Sequence, residues 1–156
     1  MMSTIENKIT KLGYELPNES APLANYVPVV LAEQSKLIFT AGHLPKNKNG
    51  EIIVGKLGDS ISNEEGYEAA KKAALATLGS IKSKIGSLDN IKRIVKLLVM
   101  VNSTADFKDH PAIANGASDL FVEIFDEKGF HARSAVGVAS LPLGAAVEID
   151  LVAEID

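Results

Sequence analysis

His131-Ala-Arg-Ser-Ala-Val-Gly-Val-Ala-Ser-Leu-Pro-Leu-Gly-Ala-Ala-Val-Glu-Ile149 is the stretch on which the fold turns. From Ala132 to Val138, small, charged or polar residues alternate with valines. From Ala146 to Val152, Glu148 and Asp150 alternate with apolar residues. A period of two marks half-buried strands, and Pro142 with Gly144 supplies the break between them. The expectation is two strands joined by a Leu-Pro-Leu-Gly turn. Two ionisable residues stand out in these strands. Arg133 offers a planar fork suited to a carboxylate, and Glu148 is a carboxylate able to act as a general base if it lines a pocket.

Working outward, the segment before this stretch reads as a helix from near Asp109, with Pro111 in its first turn. Its apolar stripe is Ile113, Ala117, Leu120, Phe121, Ile124 and Phe125, and Gly129 ends it. Ile91 to Val101 is β-branched on both alternations, as in a strand buried on both faces. Ser62 and Glu65 form a capping box for a second long helix, with Tyr67, Ala70, Ala74, Leu78, Ile81 and Ile85 at helical spacing. Nearer the start, Tyr26–Ala32 and Lys36–Ala41 read as a hairpin whose first strand, given Pro28, has an unpaired side or lies at an edge. Glu51–Val54 reads as a short third strand. Ser3 to Leu12 reads as a helix capped by Ser3, with Ile5, Ile9 and Leu12 on one stripe.

The order is therefore β-β-β-α-β-α-β-β behind an N-terminal helix, a two-layer α+β domain with two helices on one side of a mixed sheet. We expect one domain over residues 1–156, with residues 1–22 appended as a helix and linker. Two helices cover one face only, so the other apolar face is expected to pack on a partner in a homo-oligomer.

Composition narrows the chemistry. The chain has 156 residues, 46% apolar and 23% charged, a net charge of −4 and no cysteine, which excludes disulfides and thiol catalysis. Without a concentrated basic face and with only 5% aromatic residues, nucleic acid is a poor ligand. The longest apolar run, Leu97–Val101, is too short for a membrane span. The first residues lack the apolar core of a secretory signal, so a cytoplasmic protein is expected. His43, His110 and His131 show no ligand spacing, so no metal is expected, and surface or capping roles are the default for all three. Gly55-Lys-Leu-Gly58 is a turn and no phosphate loop.

The quoted stretch resembles the C-terminal signature of the Rid (reactive intermediate deaminase, RidA or YjgF-like) family. Ala132, Arg133, Ser134, Val136, Leu141, Pro142, Val147, Glu148 and Ile149 stand in the matching places. The resemblance implies a chorismate-mutase-like fold, a homotrimer with a cleft at each subunit interface, and cofactor-free hydrolysis of imines to 2-keto acids and ammonia. It makes Arg133 the anchor for a substrate carboxylate and Glu148 the residue that positions or activates water. It also brings Tyr26 to the cleft, offers the backbone carbonyl at Ala135, and matches Asn115 to a cleft asparagine through a loose alignment. Asp150, on the same strand face as Glu148, reads as structural.

The chain departs from the family at Ala41 (usually serine), His43 (usually glutamine) and Ala135 (commonly cysteine). The N-terminal helix and the segment 55–65 exceed the compact pattern, as in a longer-chain subfamily. Three functions follow: an imine deaminase, a non-catalytic binder of small carboxylates in the same cleft, and RNA cleavage. Charge and the scarcity of aromatics argue against the last.

Overall fold

The computed structural model describes residues 4–19, 21–22 and 24–156. Its elements are α1 (Thr4–Lys11), β1 (Val29–Ala32), β2 (Leu37–Thr40), α2 (Asn63–Ile85), β3 (Ile91–Asn102), α3 (His110–Phe125), β4 (Ala132–Val138) and β5 (Val147–Ile155). The strands form one five-stranded sheet in the order β1-β2-β5-β3-β4. Its pairs are antiparallel except β3 with β4, which is parallel. With α2 and α3 layered on one face, this is the two-layer α+β fold read from the pattern.

One detail extends that reading and another corrects it. The strands of the 131–149 stretch are joined by the Leu-Pro-Leu-Gly connection but do not pair, because β3 lies between them. The α3 crossover returns the chain parallel to β3 on one side, and the Leu-Pro-Leu-Gly connection then carries it across to the other. The segment 51–54 forms no strand. Ile52 bridges to Lys46, while Val54 bridges to Ala145, so its backbone partners lie on two different segments and no ladder propagates.

Local sequence accounts for the helices. Ser62 Oγ accepts from the Glu65 amide at 3.1 Å, and the Glu65 carboxylate accepts from the Ser62 amide at 2.8 Å. This is the expected capping box, and Gly86 closes the other end. α2 is buried on a broad face rich in small residues, among them Ala69, Ala70, Ala73, Ala74, Gly79 and Ser80. Small side chains let backbones approach closely: a Cβ on Gly116 of α3 would collide with the Tyr67 carbonyl of α2. For α1, the Ser3 cap lies outside the described residues. The Asp89 carboxylate accepts from the Thr4 and Ile5 amides at 2.9 and 2.8 Å, meeting the need of free helix-start donors. Ile9 is inserted into the core, and Ile5 and Leu12 pack against it.

The core lies between helices and sheet. Leu97, Val99 and Val101 of β3 and Val147, Ile149, Leu151 and Ala153 of β5 are buried there. The opposite sheet face carries Val30, Phe39 and Val136, which are 50%, 44% and 44% exposed, around half-buried Leu98, Met100 and Val152. No described helix covers it. β1 is indeed an edge strand, and the Pro28 carbonyl accepts from the Ala41 amide at 2.8 Å.

Candidate functional site

Arg133 lies on the edge strand β4, opposite Leu97 of β3, so its side chain rises on the helix-covered face. There α3 presents Asn115 and Ser118, three residues apart and therefore on one helix side. The Arg133 Nη1 group donates to Asn115 Oδ1 at 2.8 Å and to Ser118 Oγ at 3.0 Å. Both acceptors are neutral. Among the described residues no carboxylate pairs with Arg133. The Nε and Nη2 edge is left available, and that edge suits parallel hydrogen bonds to a carboxylate. Ala135, two residues along, is partly buried against the core beside Val99.

Glu148 lies on β5 between Val147 and Ile149, both fully buried on the helix side. Strand alternation therefore sends its side chain to the open face, opposite Met100, with Asp150 opposite Leu98. Burial raises the Glu148 carboxyl above the usual glutamate range, and the charge of Asp150 raises it further. Burial likewise raises Asp150. The carboxylate of Glu148 rests against Gly42: a Cβ on that residue would overlap it. The placement is fixed by a backbone exchange beyond β2, where His43 and Ile149 donate to each other's carbonyls at 2.7 and 3.0 Å.

Arg133 and Asn115 are thus brought together, whereas Arg133 and Glu148 stand on opposite faces of one sheet. Within a single chain they do not share a cleft. Tyr26, 52% exposed, lines a cavity of about 220 Å³ with Ala41, Gly42, His43 and Ser80. His43 Nδ1 meets the Ala41 carbonyl at 2.9 Å, and a carbonyl only accepts, so Nδ1 carries the proton. Nε2 then accepts from Ser80 Oγ at 2.8 Å. Burial lowers the His43 pKa against the opposing pull of that carbonyl, which keeps the ring neutral.

The histidines correct the surface or capping expectation. All three rings are half-buried and each meets a serine hydroxyl: His43 with Ser80, His110 with Ser103 at 3.2 Å, and His131 with Ser118 at 3.0 Å. Gly42, Ser118 and His131 are the site neighbours that sequence reasoning passed over. The period-2 rule places His131 on the face of Arg133, and the i, i+3 rule places Ser118 beside Asn115. Nothing in the sequence pointed to the contact between Gly42 and Glu148.

Residues 6–155 match the family model described as "YjgF/chorismate mutase-like, putative endoribonuclease". Protein TCP17 of Trypanosoma cruzi is 44% identical over 149 residues, covering 95% of this chain and 92% of its own. The RutC family protein slr0709 of Synechocystis is 31% identical over 133 residues, covering 85% and 88%. A solved structure from Shewanella oneidensis superposes with a TM-score of 0.92 at 33% identity, covering 98% of this chain and all of that one, 100%. Among the described residues, no helix is long and apolar enough to cross a membrane.

Proposed function

Because the chain belongs to the YjgF/RidA (Rid) family, we propose that it is an imine deaminase working in a cleft between subunits of a homotrimer. The observation that carries this reading is Arg133. A half-buried guanidinium steadied by neutral acceptors, with no carboxylate partner among the described residues, is matched to the carboxylate of a ligand. Glu148, on the other sheet face, then comes from the neighbouring subunit, together with Tyr26. The apolar, uncovered face around Phe39 and Val136 supplies surface for that association.

In this mechanism the 2-imino acid binds through its carboxylate to Arg133, with Asn115 and the Ala135 carbonyl beside it. Glu148 takes a proton from water as the water oxygen bonds to the imine carbon. Glu148 returns that proton to the nitrogen to give a carbinolamine, whose hydroxyl proton then passes to the same nitrogen as the C=O bond forms and the C–N bond breaks, so that ammonia leaves a 2-keto acid. A raised Glu148 pKa suits the first step, because a stronger base takes the proton from water more readily. Water is the only co-reactant.

Ala41 and Ala135, which lack the hydroxyl and thiol of typical deaminases, favour a second reading: a carboxylate binder without turnover. The two readings part at Glu148. Glu148→Gln should leave 2-keto-acid affinity intact in calorimetry while imine hydrolysis falls by roughly 10²–10⁴-fold. Arg133→Ala should abolish both, and Arg133→Lys should rescue little, since an ammonium lacks the planar fork. Wild type that binds the acid but never accelerates hydrolysis would sink the deaminase reading. The net charge of −4 gives no support to RNA cleavage, despite the family description.

A further inference from the structure

On the far side of Arg133 from its available edge, a second ring takes part. His131 precedes Arg133 by two residues and shares its face. Its Nδ1 lies 2.6 Å from the Gly129 carbonyl, so Nδ1 must be the protonated nitrogen. Nε2 is then an acceptor, and the only hydrogen that can fill the 3.0 Å contact to Ser118 is the serine's own. With its proton committed to His131, Ser118 turns oxygen lone pairs towards Arg133 Nη1, 3.0 Å away. The chain of donors runs one way: Arg133 to Ser118, Ser118 to His131, His131 to the Gly129 carbonyl.

From this geometry we propose that His131, acting through Ser118, is a positioning residue for Arg133 and presets the guanidinium to receive a substrate carboxylate. The inference rests on the deaminase reading for its consequence in turnover. Its structural half stands apart from that reading. Without His131 the serine hydroxyl is free to rotate, and its hydrogen can face the guanidinium it ought to accept from. Burial and the Arg133 charge lower the His131 pKa against the pull of the Gly129 carbonyl, which maintains the required neutral ring. The ring is also fixed in place, edge-on to Phe121 at 5.8 Å between centroids. Asn115 holds the same Nη1 from the other side, so the fork is braced by two acceptors while its Nε and Nη2 edge stays open.

The test uses Ser118→Ala, Ser118→Thr and His131→Phe, the last of which keeps an aromatic ring against Phe121. Removing one hydrogen bond to a charged group should raise KM for an imine, and Kd for a 2-keto acid, about tenfold with kcat nearly unchanged. Ser118→Thr should restore wild-type values. The double variant Ser118→Ala/His131→Phe should be no worse than Ser118→Ala, because both act through one chain. Independently of turnover, nitrogen NMR of the wild type should show His131 as the Nδ1–H tautomer. Rotation of the Arg133 guanidinium should be slow in the wild type and faster in Ser118→Ala. If these spectra hold but no imine is hydrolysed, the deaminase reading fails and the positioning role survives. An Nε2–H tautomer, additive effects in the double variant, or a threonine as damaging as alanine would overturn the proposal.

Discussion

Gly42→Ala tests whether the Glu148 carboxylate must lie where it does. Gly42 is not among the residues with positive φ, so alanine meets no dihedral penalty there. The obstacle is steric. The new methyl would overlap Glu148 at Oε1, with Cδ and Cγ at 2.7 and 2.9 Å. These are the outer atoms of a flexible, half-exposed side chain, which can swing aside at about 0.5–1.5 kcal/mol for a less favourable rotamer. At about 2–4 °C per kcal/mol for a domain of this size, the melting temperature should fall by roughly 6 °C or less. Turnover should respond far more strongly, because a displacement of about 1 Å in a positioned catalytic group costs about 10²-fold. Thermal melts and steady-state imine hydrolysis on the same preparations separate the two effects. Adding Glu148→Gln to Gly42→Ala should bring little further loss, since both disable the same group. A Gly42→Ala protein that turns over like wild type would refute the reasoning. So would one that unfolds, since that would move the role of Gly42 from the site to the fold.

Gly116→Ala makes the opposite case. Its methyl would strike the backbone carbonyl of Tyr67, which cannot rotate away, so α2 and α3 must separate. The expected loss is about 3 kcal/mol or more, read as a lower urea midpoint. Asp150→Asn removes a charge that raises the Glu148 pKa, so the acidic limb of the pH–rate profile should move to lower pH. The same shifts carry a stability sign. A carboxyl raised in the folded state stabilises fully below its unfolded pKa, and that contribution is lost as pH rises through the folded value. Asp150→Asn should therefore melt no lower than wild type at neutral pH, with any advantage gone below about pH 4.

Patterns of period two and 3.6 carried most of the fold, because β5, α2 and α3 each bury one consistent face. Glu51–Val54 misled for a physical reason. Short apolar runs look alike whether or not a continuous ladder is present, and here Ile52 and Val54 bridge to different segments. The insertion of β3 between β4 and β5 was also beyond local reading, because it is a long-range choice. At the site, the strand pattern singled out Arg133 and Glu148 and the resemblance gave them roles, and strand parity could place them on faces only once the helix side was known. The tight pairing of Gly42 with Glu148 joins segments more than 100 residues apart and left no periodic trace.

The separation of Arg133 and Glu148 by the thickness of a sheet has a genetic consequence. If clefts form between neighbours in a cyclic trimer, two inactive variants can rescue each other. Assemblies made wholly of Arg133→Ala chains, or wholly of Glu148→Gln chains, have no intact cleft. Any mixed trimer of the two contains one interface where an unaltered Arg133 faces an unaltered Glu148. Co-expressed, the pair should regain part of the activity that neither shows alone, as in complementation between alleles. A chain bearing both changes should instead act as a poison, spoiling the clefts on either side of it while its wild-type neighbours keep the one they share.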